Sequence, residues 1–503
     1  MFKNFRGFDL VESYQQSKMA KRLSDANLMS KITRLAISAI ALIVLWAMPT
    51  ECFGIEGLTL VEQRTIAIFV FATLMWVFNV ISAWTTSVFV IVLLLFSSSD
   101  SALWFFHEGI PSEQLGTLIS YESLLACFAD PIIMLFIGGF ILAIAATKTG
   151  LDVMLARVML KPFGSQSRFV LLGFIVVTSV FSMFLSNTAT AAMMLTFLAP
   201  VLKALPADGK GKIGLALSIP VAANIGGMGT PIGTPPNAIA LKYLNDPEGL
   251  DLGIGFGEWM AFMIPFTIVL ALISWVLLLK LFPFKQKTIV LEIQGEAKKD
   301  WRSIIVYIIF ALTVLLWVLD KYTGVNSNVV AMLPVGVFCL IGVITRRDLE
   351  EISWSVLWMV AGGFALGVAL NQTGLAAHLI QAIPFNTWSP VIVIIGSGLI
   401  CYAMANFISH TATATLLVPI LAVVGMNMDA LNGLGGVSTL LIGVAIGSSL
   451  GMVLPISTPP NALAHATGLI EQKDMVKVGL VMGIIGLLFG YTMLIFLGSS
   501  GLL

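Results

Sequence analysis

FVLLGFIVVTSVFSMFLSNTATAAMMLTFLAPVL, residues 169–202, runs for 34 residues without an Asp, Glu, Lys or Arg. As one helix it would be about 51 Å long, against a hydrocarbon core of about 30 Å. It must tilt strongly, fold back or break. Ser186, Asn187 and Thr188 sit at its middle, and these residue types cap helices and compete with helical hydrogen bonds. A break there presents the amides of a following half-helix, starting near Ala189, at mid-membrane. Those amides and the helix dipole attract an anion, while unwound carbonyls across the break can hold a cation.

The surrounding chain supports a membrane setting. Charged residues make up 11% of the 503 and hydrophobic residues 58%, whereas soluble domains carry about 25% charged residues. Four further stretches lack charge: 213–241, 259–279, 379–428 and 430–470. At about 20 apolar residues per span, the chain holds about ten spans. The zero net charge hides an asymmetry. Lys3, Arg6, Lys18, Lys21, Arg22, Lys31 and Arg34 precede the first apolar run, and basic clusters follow at 148–168 and 280–302, while 97–125 holds Asp100, Glu108, Glu113 and Glu122 without a Lys or Arg. Lys and Arg stay on the cytoplasmic side, so the N-terminus and both clusters are expected inside. The first thirty residues are too charged for a signal peptide, and part of them, up to Ser30, is expected to form an amphipathic helix on the membrane surface. Cys52, Cys127, Cys339 and Cys401 are scattered without metal-ligand spacing and read as small hydrophobes.

The chain also repeats itself. FIGGFILAIAATKTGL (136–151) resembles MVAGGFALGVALNQTGL (359–375), with Gly-Gly-Phe at 138 and 362; SNTATA from Ser186 returns as SHTATA from Ser409, and GTPPNAIA from Gly233 as STPPNALA from Ser457. All three pairs hold an offset of 223 or 224 residues, which marks a duplicated unit and points to a transporter's site. Lys148 to Arg168 puts the first Thr-Gly-Leu near the cytoplasm, whereas Thr373-Gly374-Leu375 is followed by no Lys or Arg before residue 473. The copies are therefore expected on opposite sides of the membrane. The Thr-Pro-Pro-Asn pair adds helix starts: Thr234 and Thr458 as N-caps, with Pro235 and Pro459 where a missing N–H costs nothing. Gly226, Gly227, Gly229 and Gly233 let the backbone before it turn tightly. Four half-helix N-termini are thus expected around one small anion.

These motifs, SNTAT, GTPPNA and STPPNA, with ADPIIMLFIGGF before them, resemble the divalent anion:sodium symporter family of dicarboxylate, citrate and sulfate carriers, from about residue 33 onward. The resemblance implies an all-α polytopic inverted-repeat transporter, with two re-entrant hairpins, a scaffold and an elevator-type transport domain, working as a homodimer. It makes Ala129–Ala145 and Val356–Leu370 the hairpins. It divides the chain into a cytoplasmic segment 1–32, scaffold helices 33–125, a first transport repeat 126–245, scaffold and loop 246–355, and a second transport repeat with the C-terminal helix, 356–503. It puts Ser186, Asn187 and Thr188 on a substrate carboxylate, Ser409, His410 and Thr411 opposite, and Thr234, Pro235, Thr458 and Pro459 nearby. Ser182, Ser186, Asn187 and Gly233 would hold one sodium ion. The charges read the first hairpin segment differently: an external acidic loop and an internal basic one make 126–147 cross once.

One departure matters. Where the family has Ser-Asn-Thr twice, the second motif here is Ser409-His410-Thr411, and the family's Thr four residues before the Ser is Ala405. A second sodium site loses an amide and a hydroxyl, and an imidazole cannot offer hard Na⁺ an oxygen, although protonated it brings a positive charge; neutral, it would rest on a backbone carbonyl. The expected function is secondary transport of C4/C5 dicarboxylates (succinate, malate, 2-oxoglutarate) by exchange with weak or no sodium dependence. Sodium-coupled dicarboxylate or citrate symport is the alternative. A membrane enzyme lacks HExxH, GxSxG or paired intramembrane carboxylates, and a channel fits an internal duplication with broken helices less well. No cofactor beyond one sodium and no nucleic-acid partner is expected, and the setting is a bacterial plasma (inner) membrane.

Overall fold

Each half of the repeat carries the same succession of apolar runs and breakers, and the two halves fold alike. A computed structural model describes residues 10–78, 80–205, 209–246, 249–289, 298–382 and 388–501. Residues 1–9 of the expected cytoplasmic segment and 290–297 of the expected cytoplasmic loop lie outside these. Among the described residues the regular elements are helices, and β-pairing is limited to isolated bridges. Eight of the helices among the described residues are long and apolar enough to cross a membrane.

Three helices lead in: α1 (Leu10–Ala47), α2 (Leu60–Phe78) and α3 (Ala83–Ser98). α1 runs unbroken past Ser30, so the expected surface helix is the start of the first apolar helix. The first repeat then follows as α4 (Pro131–Thr149), α5 (Leu151–Leu160), α6 (Ser167–Phe184), α7 (Asn187–Ala204), α8 (Gly211–Gly227), α9 (Pro235–Leu244) and α10 (Phe256–Leu281). α11 (Trp301–Val318) and α12 (Met332–Leu340) connect it to the second. That copy is α13 (Trp354–Gln372), α14 (Leu375–Ala382), α15 (Pro390–Ala405), α16 (His410–Met426), α17 (Gly436–Ser449), α18 (Pro459–Ala466) and α19 (Gln472–Ser499). The Thr-Gly-Leu corners match: Gly150 (φ 74°) turns α4 into α5, and Gly374 (φ 84°) turns α13 into α14. Such positive φ is cheap only for glycine.

The hairpins implied for Ala129–Ala145 and Val356–Leu370 are not there. α4 and α13 are continuous helices of 19 residues, about 28 Å each, which fits the single crossing that the charges predict for the first segment. Their Gly-Gly pairs are contact surfaces rather than turns. A Cβ on Gly138 would lie 2.3 Å from the Ala331 carbonyl oxygen, and one on Gly362 would lie 2.4 Å from Ser87 Cβ. Small residues of this kind let helices approach closely where lipid gives no hydrophobic drive for association. The breaks fall instead at the Ser-Asn-Thr and Ser-His-Thr motifs, where α6 packs on α7 and α15 on α16.

The two copies interlock. α9 of the first repeat packs on α16 and α17 of the second, and α18 of the second packs on α7 and α8 of the first. α4 lies against α11 and α12, and α13 against α3 and α16. α6 and α8 approach so closely that a Cβ on Gly226 would meet the Ser179 carbonyl oxygen at 2.2 Å.

Candidate functional site

The chain stops being helical at Leu185, and Ser186 restarts it. Ser186 Oγ accepts the Ala189 N–H at 3.2 Å, so α7 begins at Asn187, two residues before the start read from the sequence. Ser409 does the same for α16, accepting the Ala412 N–H at 3.1 Å. Thr458 caps α18 through the Asn461 N–H at 3.2 Å. Thr234 occupies the equivalent N-cap position of α9 in extended backbone, without a side-chain cap bond. Pro235 and Pro459 fill the first turns, as expected. Four helices therefore begin at the four repeated motifs, each with its first-turn amides free of helical partners.

Exposure separates the predicted residues. Ser186, Asn187, Pro235 and Ser409 are half-buried, Thr188 and Pro459 exposed, and Thr234, Thr411, Thr458 and His410 buried.

Around Asn187 the structure gathers oxygen. Ser182 Oγ lies 2.6 Å from Asn187 Oδ1 and donates to the Ala223 carbonyl at 2.7 Å. The amide position also lies 3.0 Å from Gly233 O and 3.2 Å from Ala223 O. With its NH₂ turned inward, Asn187 donates to those carbonyls and the cage closes on itself. With its oxygen inward, several oxygens face one another, and a hard cation is what satisfies them. Gly227 forms the wall: a Cβ there would meet Asn187 Oδ1 at 2.5 Å. Ser182, Asn187 and Gly233 thus lie together, while Ser186 contributes its hydroxyl to the helix cap.

The equivalent place in the second repeat is filled. His410, 6% exposed, bonds through Nε2 to Gly451 O at 2.8 Å. Gly451 matches Gly227, Ala405 matches Ser182, and Ser457 matches Gly233. Because a carbonyl only accepts, Nε2 carries the hydrogen, which fixes the tautomer of a neutral ring.

Reasoning from sequence missed the asparagines that hold this geometry. Asn237 Nδ2, in the first Thr-Pro-Pro-Asn, donates to the carbonyls of Gly227 (3.1 Å), Met228 (3.2 Å) and Thr230 (2.8 Å). Asn461 Nδ2 does likewise to Met452 (2.8 Å) and Leu454 (3.0 Å). Each asparagine folds the loop before its own helix. Trp259 Nε1 adds a bond to Met228 O at 3.1 Å, and Thr230 Oγ1 donates to Met183 O. Asn224 joins the repeats, with Nδ2 3.3 Å from Thr458 Oγ1 and 3.4 Å from Asn461 Oδ1.

Residues 29–500 match the family model described as the sodium:sulfate symporter transmembrane region. The chain belongs to that family. Its members and the relatives matched are transporters, not enzymes. The chain is 30% identical over 432 residues to the sodium-dependent dicarboxylate transporter SdcS of Staphylococcus aureus (strain USA300), covering 76% of this chain and 81% of that one. It is 30% identical over 387 residues to an uncharacterized transporter of Haemophilus influenzae, covering 73% and 81%. Among solved structures it is similar to the Alcanivorax borkumensis YdaH transporter, with a TM-score of 0.57 at 13% identity over 84% of this chain and 99% of that one. MtrF of Neisseria gonorrhoeae follows with a TM-score of 0.51 at 14% identity, over 82% and 94%. At those identities the likeness is one of fold. For this member of the family, the fourth letter of the duplicated Thr-Pro-Pro-Asn was the signal that could have found Asn237 and Asn461, since it recurs at the same offset of 224.

Proposed function

We propose that this protein is a secondary transporter of small dicarboxylates, working by exchange across a bacterial inner membrane with the N-terminus in the cytoplasm. The observation that carries the reading is the pair of capped breaks, Ser186 and Ser409, interlocked with the two Thr-Pro-Pro-Asn helices of the opposite repeat. First-turn amides and the hydroxyls of Ser186, Thr188, Ser409, Thr411, Thr234 and Thr458 suit two carboxylates without a fixed basic partner. The name of the S. aureus relative supports dicarboxylate as the substrate class. The cage of Ser182, Asn187, Ala223 and Gly233 suits one sodium ion, with Ser186 beside it.

Exchange follows from His410. A dianion crossing the low-dielectric core needs its charge compensated. The ring that rests neutral on Gly451 would take up a proton as the dianion binds; the imidazolium then formed neutralises the substrate but cannot leave with it. Until that proton is lost, the emptied site carries a fixed charge that is costly to move, so the loaded carrier changes sides and the emptied one stays. Sodium-coupled symport is the second reading, and the oxygen cage favours it. The elevator movement and a homodimer complete the proposal. The packing supports a mobile unit narrower than 126–245 with 356–503, because α4 and α13 lie largely against helices outside it. Proteoliposomes loaded with succinate test the function: external unlabelled dicarboxylates should compete for saturable counterflow, and sulfate or monocarboxylates should compete poorly. Counterflow indifferent to every dicarboxylate sinks the reading.

A further inference from the structure

The far end of α9 makes contacts unlike those at its start. α9 packs on α16 and α17 of the second repeat; eight residues and about 12 Å beyond Thr234, Lys242 pairs with Asp130 at the start of α4. Asp130 is already fixed, since its Oδ1 accepts the Ile132 N–H at 2.9 Å and caps α4. The Lys242 ammonium also lies 4.0 Å from the ring centroid of Phe364 on α13, a cation–π contact. Tyr243, the next residue, presses its hydroxyl on Gly367 of α13, where a Cβ would be 1.9 Å away. Both ends of the ion pair are largely buried, with side-chain exposures of 20% and 13%. The pair lines a cavity of about 980 Å³ that also takes in Cys127, Phe364, Gln372 and Pro231. Pro231 belongs to the loop that carries Gly233, so the cavity touches that loop from the side of the pair.

We propose that Lys242 is a positioning residue of the transport cycle: with Asp130 and Phe364 it clasps α9 to α4 and α13, and the clasp must part when α9 moves. This rests on the transport reading above. α9 is a rigid lever with a substrate motif at one end and the clasp at the other, so displacement of Thr234 against α4 and α13 displaces Lys242. Stripping one charge of its partner in a buried place is costly, which makes the intact pair a restraint on this conformation. The cavity is wide enough for water to hydrate both charges once they separate, which keeps the step surmountable.

Cys127 is a built-in reporter, buried in the cavity wall beside the pair. The test uses full-length protein in proteoliposomes with Cys52, Cys339 and Cys401 changed to Ser, and follows N-ethylmaleimide labelling of Cys127. Labelling should be slow in this parent and roughly tenfold faster in Lys242→Met and Asp130→Asn, the latter keeping the α4 cap. It should be slow again in Lys242→Arg. Succinate on both sides should speed labelling of the parent several-fold as the clasp opens on each passage; a merely structural pair would leave the rate unchanged. That arm needs no substitution in the clasp, so it decides even where the variants misfold. Equal labelling of Lys242→Met and the parent, or indifference of the parent to succinate, overturns the clasp. Counterflow on the same vesicles separates the two claims: exchange with constant labelling removes the clasp alone, and absent exchange removes the transport reading.

Discussion

The two repeats build the same turn and furnish it differently. In the first, the oxygens of Ser182, Ala223 and Gly233 gather around the side-chain amide of Asn187; in the second, Ala405, His410 and Ser457 stand at the matching positions, and the imidazole fills the place with a hydrogen bond to Gly451. The backbone duplicates faithfully because its determinants do: a capping serine, a proline pair and an asparagine that folds the loop. The ligands do not, because two or three side chains suffice to turn a cation cage into a plug. A duplicated fold can thus keep the same capped breaks in both copies while differing in the side chains that stand beside them.

The largest effect expected from breaking this comparison is at Asn187. If Asn187 contacts the substrate as proposed, Asn187→Ala removes that contact together with the amide at the centre of the oxygen cluster, and should lower saturable uptake by roughly 100-fold while the protein still inserts and elutes as the parent does. Normal uptake kinetics in this variant contradict the site. Converting the second repeat toward the first, with Ala405→Ser, His410→Asn and Ser457→Gly together, should create a second cage. Uptake should then depend on sodium with a Hill coefficient near two in the variant, measured against sodium concentration. A sodium response identical to the parent's means that the plug is not what distinguishes the repeats.

Smaller effects come from the scaffolding. Asn237→Ala leaves the carbonyls of Gly227, Met228 and Thr230 without their shared donor and should cost about 1–3 kcal/mol. Asn461→Ala should cost less, since it strips two carbonyls rather than three of their donor and its other bonds, to Ser457 Oγ and from Asn224 Nδ2, are long at 3.4 Å. Thermal unfolding of the purified variants ranks them, and the reverse order would show that the second loop is the more dependent one. Smallest is the effect of placing single cysteines at Arg157 and Lys298, which tests sidedness and should leave transport near normal. Both should resist an impermeant thiol reagent in intact cells and react after permeabilisation. Labelling of both in intact cells inverts the topology.

The sequence made the repeat and its breaks legible because they are local: capping residues interrupt charge-free runs too long for one straight span. The caps were legible in kind more than in position: Thr458 bonds as expected, Thr234 does not, and Ser186 and Ser409 cap their helices, the first of which begins two residues before the start read from the sequence. The hairpin ranges implied by the resemblance, 129–145 and 356–370, misled; the glycine pairs within them are notches against neighbouring helices. What decides is a partner far along the chain, Ala331 for Gly138 and Ser87 for Gly362. There the charge pattern across 97–168 was the better guide than the resemblance. The interlocking of α9 with α16 and of α18 with α7 was illegible for the same reason. Asn224 lies 234 residues from Thr458, and no local pattern announces that contact. His410 could be found as a departure from the duplicated motif, but its partner Gly451 emerged only once α17 was seen to end beside α16.

The measurement that bears most directly on the account is uptake of labelled succinate into proteoliposomes that are either empty or preloaded with unlabelled succinate, each in sodium and in choline buffer. The account predicts strong uptake into loaded vesicles, little into empty ones, and only a modest loss when choline replaces sodium. Strong uptake into empty vesicles that requires an inward sodium gradient would contradict exchange and make the cage at Asn187 the engine of a symporter.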